Sequence, residues 1–119
     1  MENWKDRING TARLNMALGA VHQVATFALV AIIVFGDIAN ASDGVKRLVA
    51  VVGVLGAISS WMFTSNALKS YQDEFKDMSA AEAATVSGQT GSKQPFVLYQ
   101  AYALLETVAI IAVIITAIY

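Results

Sequence analysis

The residue best suited to chemistry in this sequence is Glu106, a lone carboxylate in the apolar stretch 97–119. An ionised carboxylate is unstable in hydrocarbon, so Glu106 should be protonated, paired, or turned toward a wet or protein-lined interior. Histidine is the side chain type that ordinarily changes charge near neutral pH, and His22 lies in another apolar stretch. One hypothesis is a proton or cation relay between these two residues. The other is that Glu106 accepts hydrogen bonds that hold helices or subunits together.

Other polar residues reach a similar depth if the apolar stretches are helices. The number of residues from the same side of the membrane to each polar residue, multiplied by the helix rise, gives the depth of that residue. These depths agree to within about 5 Å. The sequence therefore predicts one polar layer, formed by His22, Gln23, Ser59, Ser60 and Glu106. Tyr99 and Tyr102 share a helix face with Glu106 and could reach it. A transport path usually needs several acidic sites unless copies of a chain form a ring, which favours the structural role.

Composition argues against several classes of function. The chain has no cysteine, and therefore no disulfide, thiolate metal site or cysteine nucleophile. Its single histidine argues against a histidine-rich metal site or a bis-histidine haem. A net charge of -1 without a basic stripe argues against nucleic acid. No nucleophile and base are placed together, so we expect no catalysis, no metal and no cofactor, with lipid as the main contact.

Three apolar stretches, at 16–36, 47–66 and 96–118, predict an all-α fold with three transmembrane helices in one domain, 1–119. About 20 apolar residues suffice to cross a hydrocarbon layer of roughly 30 Å. The content of 56% hydrophobic and 14% charged residues also favours the membrane. Residues 1–15 are typical of a short interfacial segment with Trp4 at headgroup level. The first stretch followed by Ala39-Asn40-Ala41 also resembles a secretory signal, but we expect it to be retained.

The second stretch carries small side chains at helical spacing. Such a face permits close helix approach, which drives association where the hydrophobic effect cannot. The predicted packing residues are Ala50, Gly53, Ala57, Ser60 and Thr64, with Tyr102 on the third span. We expect this face and the Tyr102/Glu106 face to contact other chains.

The region 67–95 is predicted to be a loop that begins as an amphipathic helical extension. Apolar residues recur there at helical spacing, from Leu68 to Met78. Ser79 and Glu82 have the spacing of a capping box, which predicts a kink and a short helix through about Val86. Residues 87–94 are predicted to be irregular. Basic residues of the N-terminal segment and this loop outweigh those of the short link 37–46, which predicts a cytoplasmic N-terminus and loop and an external C-terminus.

Two strings resemble parts of known families. Residues 100–110, QAYALLETVAI, resemble the ion-carrying helix of rotary-ATPase proteolipid subunits, and the resemblance implies that Glu106 is the ion site. That family's glycine-packed partner helix, joined by a short turn, is absent. Residues 54–63, VLGAISSWMF, resemble the first helix of type IV secretion pilins, although the loop here is longer. The three-span size is similar to small diacylglycerol kinases and succinate dehydrogenase anchors, whose glutamate-asparagine motif and second-span haem histidine are missing.

These observations lead to one expected function and two alternatives. We expect a non-catalytic accessory or scaffold subunit of a larger membrane complex or homo-oligomer. The first alternative is a proton- or ion-conducting oligomer that uses Glu106. The second is a pilin-like subunit of a membrane-derived filament.

Overall fold

A computed structural model describes residues 3–119, which are 88% helical and include no strand. The helices are α1 (Trp4–Phe35), α2 (Asp43–Lys76), α3 (Ala80–Ala83), α4 (Val86–Ser92) and α5 (Phe96–Ile118). Three of them, α1, α2 and α5, are long and apolar enough to cross a membrane. The predicted all-α, three-span fold class is confirmed.

The three long helices form an elongated bundle, 62 Å in its longest dimension. We call one end the loop end, where α1 and α5 begin, α2 ends, and α3 and α4 lie. The opposite end, which contains the α1–α2 connection and Tyr119, is the link end. α2 lies in the middle and packs on both α1 and α5, whereas α1 and α5 have few contacts with each other. Space between α1 and α5 therefore remains open along part of the bundle.

The predicted interfacial segment does not form a separate element. It supplies the first turns of α1, because Asn3 caps the helix by accepting a hydrogen bond from the Asp6 backbone N–H at 2.9 Å. Met1 and Glu2, the start of this segment, lie outside the described residues. The helix then continues without a break to Phe35, so polar N-terminal turns and apolar span form one rod. Asp37, in the left-handed conformation with φ of 52°, follows and ends it.

The link end holds the apolar core of the bundle. Its buried members are Ile33, Ile38, Ala50, Ile114 and Ile118. Gly53 lies one turn further along α2, where an added Cβ would be 3.1 Å from both Ile114 Cγ2 and Leu29 Cδ2. The small side chains at this end of α2 therefore allow α1 and α5 to approach it closely.

The loop end is held by contacts of Trp4 with the end of α2. The Trp4 Nε1–H donates to the Glu74 backbone carbonyl at 2.9 Å. α2 ends at Lys76, so this carbonyl is among those that have no partner within the helix. The Trp4 ring also meets Phe75 edge to face at 5.5 Å between centroids. Trp4 is buried against α2 and does not project outward at the end of the bundle.

Two further contacts join the helices near this end. The Arg7 Nε–H donates to Glu74 Oε2 at 2.9 Å, but both side chains are partly exposed, so solvent screens this ion pair and it contributes little to stability. The Gln100 side chain donates from Nε2 to the Ser65 backbone carbonyl at 2.9 Å. This bond ties α5 to α2 between the cleft described below and the loop end.

The segment between α2 and α5 is more helical than the sequence predicts. α2 continues to Lys76 as one helix, as expected, and the Ser79–Glu82 capping box is present. The helix that it starts ends at Ala83, and the prediction of irregular structure at 87–94 is wrong, because α4 occupies Val86–Ser92. The glycines responsible for that prediction serve packing instead. Gly91 lies under the Phe75 ring, where a Cβ would overlap the ring atoms.

Candidate functional site

A cleft of about 570 Å³ opens between α1, α2 and α5, and all five residues of the predicted polar layer line it. These residues are His22, Gln23, Ser59, Ser60 and Glu106. We call this space the Glu106 cleft. Its size is that of a small-ligand pocket or of the groove needed to seat a few side chains from another helix. The depth argument made from three separate stretches of sequence thus leads to residues that share one cavity.

Small residues of α2 create the volume of the cleft. Gly56, Ala57 and Ser60 line its α2 wall, so no large side chain fills the space between α1 and α5. A Cβ added at Gly56 would meet nothing within 4 Å. Toward the link end, Leu29 and Ile114 also line the cleft, and their contact with Gly53 forms its floor.

The polar side chains of the cleft do not bond to one another within residues 3–119. His22 Nδ1 pairs with the Leu18 carbonyl at 2.8 Å, within α1. In the neutral ring this makes Nδ1 the donor and leaves Nε2 as an acceptor. The hydroxyls of Thr26 and Thr107 donate to carbonyls one turn back in their own helices, both at 2.9 Å. The residues of the polar layer therefore surround a shared space without hydrogen bonds to one another.

Glu106 itself is exposed in the single chain. It has no hydrogen bond or ion pair with any residue in the described part of the chain. A carboxylate halfway along an apolar helix needs a proton, a hydrogen-bond donor or water. Whatever satisfies Glu106 must therefore enter the cleft from outside this chain.

The predicted packing residues divide into three groups. Ala50 and Gly53 are buried and used inside the chain, against α1 and α5. Ala57, Ser60 and Thr64 line the Glu106 cleft. Tyr102 is 64% exposed and is not among the residues that line it. Tyr99, expected near Glu106, instead donates from its hydroxyl to Gln94 Oε1 at 2.8 Å.

A second cavity of about 250 Å³ adjoins the cleft on the side of the loop end. The two share Gly19, His22 and Thr64 in their linings. Asn15 and Tyr71 also line the second cavity, and the Asn15 side-chain amide nitrogen is buried without a hydrogen-bond partner among residues 3–119. Sequence reasoning missed this cavity because it placed Asn15 in an interfacial segment. The signal available in the sequence was the position of Asn15. It lies about two helical turns before His22, on a different face of the helix from the charged residues.

The charged groups of the loop end lie apart from the cleft. The Ser79 backbone N–H donates to the Glu82 carboxylate and holds the pKa of Glu82 below its usual range, and the Ser79 hydroxyl lowers this pKa further. Among the described residues no group of three or more potential metal ligands occurs.

Comparison with known protein families, characterised proteins and solved structures finds no significant match to this chain.

Proposed function

We propose that this chain is a non-catalytic subunit of a membrane assembly, either an oligomer of itself or a complex with other membrane proteins. In this proposal the Glu106 cleft is the contact site, and its carboxylate accepts a hydrogen bond from the neighbouring chain. The proposal rests on one observation. Glu106 lies on an open cleft and has no partner among the residues described.

The exposure of the helices supports an environment of lipid and other helices. Within the single chain, only 6% of the most apolar 18-residue segment of α1 is buried. The corresponding share is 17% for α2 and for α5. Lipid satisfies the apolar surface but not Gln23, Ser59 or Glu106, which are all exposed. Polar side chains of this kind stabilise contacts between membrane helices. A neighbouring helix at the cleft satisfies both kinds of surface together.

Glycine substitutions give a direct test. Leucine at Gly56 meets no atom of its own chain at the Cβ position, so Gly56→Leu should fold and yet fill the cleft. The matched control is Gly44→Leu, since Gly44 has equally open space but lies outside the cleft. We expect wild type and Gly44→Leu, extracted directly from native membranes into lipid nanodiscs so that any partner is retained, to form a complex larger than 12.7 kDa of protein, and Gly56→Leu to be monomeric. A monomeric wild type, or an unchanged complex with Gly56→Leu, would contradict the proposal.

A second candidate is a proton-conducting oligomer. The observation that favours it is that His22 and Glu106 line the same cleft, so two titratable groups flank one space. Glu106→Gln separates the two functions. Glutamine keeps hydrogen-bonding capacity, so a scaffold should still assemble, whereas proton flux into reconstituted vesicles should be abolished. Equal flux in wild type and Glu106→Gln would eliminate this candidate.

We also propose that the loop end faces the cytoplasm. The basic residues Lys5, Arg7 and Arg13 of α1 lie at the same end of the bundle as the α2–α5 connection, which carries Lys93. Basic residues near the ends of membrane helices favour the cytoplasmic side. A cysteine at Lys93 should therefore react with an impermeant thiol reagent in inside-out vesicles and remain unmodified in intact cells. Modification in intact cells would reverse the assignment.

A further inference from the structure

Two adjoining cavities lie between Glu106 and the loop end of the bundle. We infer that they form a hydrated half-channel, through which water and protons reach Glu106 from the loop end. The inference goes beyond assembly, because it concerns how Glu106 is solvated in whichever complex the chain forms.

The first argument is that the two cavities adjoin. Gly19, His22 and Thr64 line both of them, so the cavities meet at these three residues. The second cavity reaches Asn15 and Tyr71, about two turns nearer to the loop end than His22 or Thr64. Apolar side chains, among them Leu18 and Phe63, line part of this path, but polar groups recur along its length. From the loop end inward these polar groups are Tyr71, Asn15, Thr64, His22, Ser60 and Glu106.

The second argument is that the path contains polar groups that lack partners. The buried amide nitrogen of Asn15 has no acceptor among the described residues, and Glu106 has no donor there. Buried polar groups without protein partners are usually satisfied by water. A rotation of the Asn15 amide toward the second cavity gives it water as an acceptor, and water in the cleft solvates the acceptor sites of Glu106 that a bond from a neighbouring chain leaves free.

The third argument is that the link end is closed. Below the cleft, Gly53 is packed against Ile114 and Leu29, and Ile114 and Ile118 are only 3% and 1% exposed. This core contains no polar side chain among its members. An apolar layer of this kind excludes water and protons. Glu106 therefore exchanges protons with the solvent at the loop end and not with that at the link end.

The chain contains no cysteine, which allows a clean test with single-cysteine variants of the full-length protein. Ser60→Cys and Thr64→Cys place a thiol on the path, and Met62→Cys places one on the same helix at an exposed position outside both cavities. Only the hydrated thiolate reacts quickly with a charged, impermeant methanethiosulfonate. Each variant is reconstituted in vesicles with known orientation, which the exposed Lys93→Cys variant reports.

We expect reagent added at the loop end to modify both path cysteines at least about tenfold faster than Met62→Cys. Reagent added at the link end should leave them unmodified. Circular dichroism and monodispersity identify any variant that does not fold, and two path positions keep the test independent of one substitution. Path cysteines that react no faster than Met62→Cys would overturn the inference, whether or not the chain assembles. Equal rates from both ends would overturn the closed link end.

Discussion

A pair of glycines one turn apart on α2 gives the most quantitative prediction. Gly53 is in the tight contact with α1 and α5, whereas Gly56 faces the open cleft. Replacing either with alanine improves helix propensity by about 0.5–1 kcal/mol. At Gly53 the new methyl lies 3.1 Å from Ile114 Cγ2 and from Leu29 Cδ2, so both side chains must move by a few tenths of an ångström.

The magnitude follows from the difference between the two variants. Overpacking of this kind costs about 1–3 kcal/mol. The gain in helix propensity is common to both substitutions and cancels. Gly53→Ala should therefore be less stable than Gly56→Ala by about 1–3 kcal/mol, with Gly56→Ala at or above wild-type stability.

The assay is unfolding in mixed micelles by titration with sodium dodecyl sulfate, followed by fluorescence of the two tryptophans. It is performed at a protein concentration low enough to keep all variants monomeric, so that contacts between chains do not contribute. Equal free energies of unfolding for the two variants would refute the reasoning, as would a less stable Gly56→Ala. Either result would mean that α2 does not pack through Gly53 against α1 and α5.

Three further predictions concern the loop end and the α2–α5 contact. Trp4→Phe keeps the ring packing but loses the hydrogen bond to the end of α2, so we expect a loss of about 0.5–1.5 kcal/mol and faster amide exchange in the first turns of α1. Because the pKa of Glu82 is lowered in the folded state, its capping contribution is present above about pH 4.3 and lost as pH falls through the folded value. The amide protection factors of α3, taken relative to the intrinsic exchange rate at each pH, should then fall on acidification, and Ser79→Ala should lower them at neutral pH. Gln100→Leu should lower stability by about 0.6 kcal/mol in the micelle assay, and an unchanged value would show that its bond to α2 is not formed.

Apolar length and periodicity were sufficient to predict the long helices, and depth along them placed five polar residues, His22, Gln23, Ser59, Ser60 and Glu106, at one level. Apolar length identifies a span because only a helix satisfies its own backbone in lipid. Glu106, His22 and Ser60 each lie a countable number of turns from a helix end, so their common level could be calculated before any contact was known. The apolar length of a span and the depth of a residue along it each depend on a single segment of the chain, which is why both can be predicted from the sequence.

The parts that could not be predicted depend on contacts between distant segments. Trp4 packs with Phe75, 71 residues away in sequence, and no local pattern pairs them. Gly88 and Gly91 suggested a loop because glycine is a poor helix former, but in α4 their lack of a side chain permits contact with α3 and Phe75. The same limit applies to Gly53 and Gly56, which differ in role only because one faces Ile114 and the other faces open space.

Photocrosslinking at the edge of the cleft tests the central claim most directly. A diazirine amino acid is incorporated at Gln23, which is exposed and lines the cleft, or at the adjacent Val24, which is exposed but outside it. After irradiation in native membranes, we predict protein adducts from position 23 and mainly lipid adducts from position 24. Lipid adducts alone at both positions would show that the Glu106 cleft faces the bilayer, and that no other chain supplies the missing partner of its carboxylate.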